Sequence, residues 1–308
     1  MTHPADPRYW VDLFGRAELP VLGNTVSELE RMRQDPDRVS TAQLSDIVMR
    51  DPLMTSKVLR YIQQHRHRTQ LVDVTTVAHA LMMLGLEPFL AHFSKEPTVQ
   101  AHLEHDATAL QGVLRVASRA RHAALYAREW AVLRHDIEVE EVTTAALLHD
   151  LAELMLWCCA PGVATLLDEA TRADDAARDA AQRAVLGFTM ISLQVELAEQ
   201  WQLPDLLCRL MDERHASTPR ALNVSLAVSV ARHTSSSWDE PALVDDFASV
   251  GRLLGCGAVA ARERVLRVAL RAAAEWTWYG VPPAVALLPV STGVVPRARV
   301  DARRAGAR

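Results

Sequence analysis

An all-α fold is predicted by three features of the chain. Apolar residues recur every three to four positions almost without interruption, strand-like alternation is scarce, and the breaks between apolar runs carry helix caps and stops. At 3.6 residues per turn, positions i, i+3 and i+4 share one face, so such a pattern buries a stripe of each helix. With 308 residues, 49% of them hydrophobic and 23% charged, the chain can build one large core or two moderate ones.

Taken in order, Thr25-Val26-Ser27-Glu28 reads as a capping box that opens a helix through about Gln34, ended by Asp35-Pro36-Asp37. Ser40 or Thr41 caps the next, with Leu44, Ile47 and Val48 on one face. At Asp51-Pro52 the chain restarts, with Asp as N-cap and Pro at the first helical position. That helix buries Leu53, Val58, Leu59 and Ile62 and runs to about Gln64. After a polar loop, Thr76 to Leu84 forms a helix stopped by Gly85, and Leu86 to His92 comes after it. Long helices are expected from about Asp106 to Val132 and from Val139 to Cys159, with Pro161-Gly162 as the break. Asp168 to Arg183, rich in Ala and charge, reads as a solvent-facing helix. Gly187 to Trp201 and Leu206 to Arg214 are separated at Leu203-Pro204, and Ala221 to Arg232 comes next. The polar run His233 to Asp239 reads as a loop before a last helical pair that ends near Tyr279-Gly280-Val281-Pro282-Pro283. No internal repeat is visible. The expected organisation is an N-terminal helical lobe (1–96), a larger helical lobe (97–235), a helical extension (236–290) and a disordered basic tail (291–308), which holds five arginines.

Composition excludes several function classes. The net charge of −5 provides no global field for nucleic acid. The four cysteines, Cys158, Cys159, Cys208 and Cys256, lack the C-x2-C spacing of a zinc site and read as reduced, packed thiols. Met1 to Asp12 is polar, unlike a signal peptide, and no run of eighteen apolar residues suggests a membrane span. The expectation is a cytoplasmic protein.

The most informative stretch is Thr144-Ala145-Ala146-Leu147-Leu148-His149-Asp150-Leu151, which sets an imidazole beside a carboxylate inside an apolar helical run. Both groups are costly to bury unless paired, so the dipeptide points to a metal site or to a hydrogen-bonded remnant of one.

The surrounding residues carry a family resemblance. Leu19-Pro20-Val21-Leu22, Asp35-Pro36, Leu44-x-x-Ile47-Val48, Arg50-Asp51-Pro52-Leu53-Met54 and Ala80-Leu81-Met82-Met83-Leu84-Gly85 occur in that order. They are followed by Ala146-Leu147-Leu148-His149-Asp150, Leu186-Gly187-Phe188 and Ala198-Glu199-Gln200-Trp201-Gln202-Leu203-Pro204. Over roughly residues 15 to 235 the chain resembles the HDOD domain, the HD-related output domain of bacterial signalling proteins. The resemblance implies a two-lobed helical bundle of the HD-superfamily type and a regulatory or output role without catalysis.

In catalytic HD proteins a divalent metal is held by a His on one helix, the His-Asp pair on the next, and further Asp or His ligands. Here His149-Asp150 supplies the pair, but the first histidine falls at Arg119, whose guanidinium cannot ligate a cation. His122, one turn later, is the alternative first ligand. Where the HD pattern has Leu-Ala-Asp-Arg the chain reads Leu226-Ala227-Val228-Ser229, and Met190 stands where HD-GYP relatives carry another His. His215 is the remaining candidate. The expected arrangement is a vestigial HD site of His149, Asp150 and Arg119, with Arg119 pairing Asp150 in place of a metal and no cofactor. The alternative is a metal-dependent phosphohydrolase or phosphodiesterase that uses His122, His149, Asp150 and His215 to hold manganese, iron or zinc.

Smaller signals have plainer readings. His135-Asp136 reads as a solvated loop, Cys158-Cys159 as packing, and Trp276-Thr277-Trp278-Tyr279 as a core plug. His102-Leu103-Glu104-His105-Asp106 offers two imidazoles three residues apart, a spacing that suits a transition metal but lacks a clear third partner. A basic loop, Arg66, His67 and Arg68, together with the arginine-rich tail, supports a third reading as a nucleic-acid-associated regulator, against which the net charge argues. The favoured expectation is a non-catalytic signalling module whose partner is a signalling protein or a small regulatory ligand, bound between the lobes. The sequence sets no oligomeric state.

Overall fold

Two carboxylates and one side-chain amide, those of Asp51, Asp150 and Gln194, tie together helices that are distant in sequence. The protein is described by a computed structural model over residues 5–65, 73–172, 177–212 and 217–289. Those residues are mostly helical, with no strand among them and one isolated parallel bridge between Val21 and Thr98.

The first group of helices is α1 (Pro7–Arg16), α2 (Gly23–Gln34), α3 (Thr41–Val48), α4 (Pro52–Gln64), α5 (Val77–Leu84), α6 (Leu86–Phe93) and α7 (Val99–His102). Several start where the caps predict. Ser40 and Gln43 form a reciprocal capping box on α3, and Thr76 caps α5, which ends at Gly85 with φ +79°. Asp51, with Pro52 after it, caps α4 by accepting from the N–H groups of Leu53 (2.9 Å) and Met54 (3.0 Å). Its second oxygen accepts from the N–H of Leu22 at 2.8 Å, so one fully buried carboxylate caps α4 and holds the start of α2.

That contact explains a correction. The expected Thr25–Glu28 capping box does not form: α2 starts at Gly23, and Thr25 is buried inside it. Its free N–H groups are met by residues distant in sequence, Asp51 on Leu22 and Gln100 on Gly23 (2.9 Å), which local spacing cannot reveal. Helix α1 is an addition to the expected elements. Asp6 accepts from the Arg8 N–H to cap it, and Trp10, Val11 and Phe14 are buried.

The second group comprises α8 (Ala107–Leu133), α9 (Val139–Leu148), α10 (Leu151–Cys159), α11 (Pro161–Arg172), α12 (Arg178–Leu186), α13 (Met190–Gln200), α14 (Asp205–Met211) and α15 (Pro219–Ser236). Helix α8 is the central post, packed by α9, α10 and α15, while α1 lies across α13. The expected single helix from Val139 to Cys159 is two, broken at His149-Asp150. In an unbroken helix the Ala152 N–H would donate to the Leu148 carbonyl. Here the buried Gln194 of α13 is inserted between them: its Oε1 accepts from the Ala152 N–H at 2.8 Å and its Nε2 donates to the Leu148 oxygen at 3.1 Å.

Val139–Cys159 is also, by length and composition alone, apolar enough to cross a membrane, although Glu140, Glu141, His149, Asp150 and Glu153 interrupt its apolar residues. Yet 83% of its most apolar eighteen-residue window is buried inside the protein. Two further expectations are corrected. Asp168 to Arg183 is not one helix but parts of α11 and α12, the latter ending at Gly187 with φ +88°. The expected loop from His233 begins inside α15, which Thr218 caps and which continues to Ser236, because His233 and Thr234 are buried there.

The described residues then run through α16 (Ala242–Leu254), α17 (Ala258–Ala272), the short α18 (Trp276–Tyr279) and a single helical turn at Ala284–Leu287. This end returns to the beginning. The Tyr279 hydroxyl donates to the Arg50 carbonyl at 2.7 Å, and Asn24 Nδ2 donates to the Trp278 carbonyl at 2.7 Å. Glu275 accepts from the Arg121 guanidinium at 2.8 and 2.9 Å and lies 3.7 Å from Arg50. Buried apolar side chains from Trp10 to Val281 form one continuous core.

Candidate functional site

The break between α9 and α10 turns His149 and Asp150 toward α8. Arg119, on the facing side of α8, donates from Nε and Nη2 to Asp150 Oδ2 at 2.9 and 2.7 Å. The same Nη2 donates to Glu153 Oε2 at 2.7 Å. Glu153 is one helical turn beyond Asp150, so a single guanidinium bridges two carboxylates presented by one face of α10. His149 Nδ1 lies 3.1 Å from the other oxygen of Asp150. These groups are nearly dry: the side chains of Arg119, Asp150 and Glu153 are 13%, 10% and 19% exposed.

Burial by itself would push the Asp150 carboxyl up. The charge of Arg119, aided by His149 and Arg232, overrides that and holds Asp150 well below the usual carboxylate range. For Arg119, burial is again the opposing influence, and Glu153 and Asp150 raise its basicity above the ordinary value. The arrangement is a fixed ion triad, with the cation supplied by the protein.

A divalent metal does not fit these residues. Both Asp150 oxygens are engaged, one by Arg119 and one facing His149. His122 is buried one turn along α8, donates Nδ1–H to the Ser118 carbonyl at 2.8 Å, and is depressed below its ordinary pKa by burial. It does not line the chamber that His149 and Asp150 share with Met190 and Gln194. Val228 is buried and apolar. His215, and the basic loop of Arg66, His67 and Arg68, lie outside the described residues, as does the C-terminal tail. Among the described residues, no three His, Cys, Asp or Glu side chains group as a metal site.

The HDOD domain family matches residues 19–217 of the chain. The chain belongs to the HDOD family. Solved structures share the HDOD fold. The MmoQ response regulator of Methylococcus capsulatus superposes with a TM-score of 0.60 at 20% identity, covering 82% of this chain and 98% of that one. A virulence factor of Campylobacter jejuni gives 0.61 at 17% identity, with 82% and 92% covered. No curated protein matches the chain. An HDOD domain is an HD-related regulatory module, and a regulatory, signalling role is the coarse function of the chain.

The sequence places Arg119, His149 and Asp150 in one site, and they lie together. It misses Glu153, although the i, i+3 spacing from Asp150 is a usable signal. It also misses Arg178, 3.8 Å from Glu153, and Arg232, because α12 and α15 reach this part of the HDOD fold only through tertiary packing. The other candidates go elsewhere. His102 Nε2 donates to the Cys158 carbonyl at 2.9 Å, while His105 is exposed beside Glu104. Cys158 is buried. Asp136 is not loosely solvated: Arg220 pairs with it at 2.5 Å. The aromatic cluster is split, with Tyr279 buried, Trp278 under the Arg50 guanidinium at 5.0 Å, and Trp276 54% exposed.

Proposed function

We propose that the chain is a non-catalytic HDOD signalling module in which the Arg119 guanidinium has replaced the divalent ion of HD hydrolases. The observation that carries this reading is the contact of one guanidinium with both Asp150 and Glu153 at 2.7 Å. A guanidinium neutralises the carboxylates as a cation would, but it has no open coordination position and cannot acidify a water for attack on phosphorus. The site then stabilises the junction of α8 with α10 and leaves output to binding, in the cytoplasm, of a signalling protein or small regulatory ligand.

The test is elemental analysis of the purified full chain and of H149A after incubation with manganese, iron or zinc. Both are expected to hold far less than one equivalent. About one metal per chain in the wild type, lost in H149A and accompanied by phosphodiester hydrolysis, would overturn the reading in favour of a phosphohydrolase.

A further inference from the structure

A cavity of about 420 Å³ opens between the two groups of helices, on a different side of α8 from the ion triad. One wall is α3 with Ala78 of α5, and the other is α8 with the start of α9. At about 100° per residue, Arg121 and Arg128 leave α8 on the face opposite Arg119, so this space is separate from the HD site. Two hydrogen bonds cross between the walls. Arg121 Nη1 donates to the Met49 carbonyl at 3.1 Å, and the Ala78 N–H donates to Glu140 Oε1 at 3.2 Å.

The floor is apolar with one built-in donor. Met49 is buried there, and Ala78 and Val139 border it. Arg121, 8% exposed, commits three of its five N–H donors, two to Glu275 and one to Met49. Glu275 offsets its charge, so the floor presents uncommitted N–H groups rather than a bare cation. Both signs of charge sit at the mouth. Asp46 belongs to α3 and Arg128 to α8, and neither forms a hydrogen bond or ion pair with the other or with any described residue. Glu140 engages only Oε1, through Ala78. An unmatched carboxylate and an unmatched guanidinium facing one apolar-floored space are satisfied together by a molecule that carries both signs.

We infer that this cavity binds a free α-amino acid with an apolar side chain. Its carboxylate takes the Arg128 fork and the remaining N–H groups of Arg121, and its ammonium takes Asp46 and Glu140. The side chain lies against Met49 and Val139. A simple carboxylic acid would meet repulsion from two carboxylates, and a simple amine would leave Arg128 unmatched. The volume is at the lower end for small-molecule sites, which suits one amino acid rather than a peptide. The inference rests on the non-catalytic reading above and deepens it, because it names the class of the small regulatory ligand.

The experiment is isothermal titration calorimetry on the full chain with L-leucine, L-methionine and L-phenylalanine, against N-acetyl-leucine, leucinamide and L-glutamate. At least one apolar amino acid is expected to bind with a Kd below ~1 mM. N-acetyl-leucine lacks the ammonium and leucinamide the carboxylate, and each should bind at least about tenfold more weakly than leucine. D46N and R128Q, at exposed positions, should each weaken binding of the amino acid at least about tenfold, and R128K should retain more affinity than R128Q. A42W sets an indole in the mouth without removing a charge and should abolish binding, while R183Q, on α12, should leave it unchanged. Circular dichroism confirms folding, and A42W carries the test if a charge variant does not fold. Absence of binding by all three amino acids to the folded wild type overturns this inference and leaves the non-catalytic reading to its own test by metal content. Leucinamide or N-acetyl-leucine binding as tightly as leucine overturns the inference, as does binding indifferent to both D46N and R128Q. Binding of the expected kind, by a chain that also holds a metal and hydrolyses phosphodiesters, supports the site and overturns the non-catalytic reading.

Discussion

Replacing Arg119 by methionine removes the guanidinium while keeping much of its apolar stem. Three N–H···O bonds of 2.7 to 2.9 Å are lost, and Asp150 and Glu153 remain almost dry without their cation. Breaking a buried ion pair from one side costs about 3–5 kcal/mol, a large share of the roughly 5–15 kcal/mol that holds a domain together. The cost depends on pH with a definite sign. In the wild type Asp150 is held below its ordinary pKa, so its pairing contributes fully above about pH 4 and is lost only as the pH falls through that depressed range. In R119M the same carboxylate is buried and unpaired, which raises its pKa and lets it take up a proton as the pH falls from 7 to 5. The gap between variant and wild type is therefore expected to narrow by about 1 kcal/mol over that interval. Urea unfolding followed by far-ultraviolet circular dichroism at both pH values measures it. A loss below about 1 kcal/mol at pH 7, or a gap that does not change with pH, would refute the claim that Arg119 neutralises buried carboxylates.

Other substitutions probe the frame around the site. D51A leaves the N–H groups of Leu22, Leu53 and Met54 without an acceptor in a buried place and is expected to cost about 3 kcal/mol, seen as a lowered melting temperature; D51N, which keeps one acceptor oxygen, should cost less. G112A drives a methyl group to within 2.3–2.5 Å of the Trp157 ring, where α8 and α10 approach closely, and should destabilise by at least about 1–3 kcal/mol; W157L in the same chain should recover part of that. Q194A frees the Leu148 carbonyl and the Ala152 N–H to bond each other, so its cost should stay near about 1 kcal/mol. Amide exchange at Ala152 should remain protected; rapid exchange there would show that the helix break is not held by Gln194.

What the sequence reveals here is whatever is decided within a turn or two of chain. Ser40, Asp51-Pro52, Thr76 and Gly85 mark helix ends by local chemistry, and the structure uses each of them. Thr25–Glu28 has the same local signature and fails, since Asp51 and Gln100 satisfy the start of α2 from elsewhere. Helix α1 is hard to read because its buried residues are few and the segment is largely polar. The break at His149-Asp150 is invisible locally: the run from Val139 to Cys159 is ordinary helical sequence, and its interruption comes from a glutamine 42 residues beyond Ala152. The site divides the same way. His149 and Asp150 are legible as costly residues in an apolar run, and Arg119 only through the resemblance to HD proteins, whereas Arg178, Arg232 and His233 meet only when α12 and α15 pack.

The return of the C-terminal segment to α2, α4 and α8 has a consequence for how the molecule is made. The carbonyl of Arg50 waits 229 residues for the Tyr279 hydroxyl, and Asn24 waits 254 for Trp278. During synthesis the early helices are complete long before these partners exist, so closure of this seam comes after most of the chain has emerged. Contacts of such long sequence separation slow folding, and they make α18 a latch on α2 and on the turn before α4. A chain shortened before Glu275 would leave Arg121 without its carboxylate, so synthesis arrested there should yield a loose intermediate, richer in helix than in fixed packing.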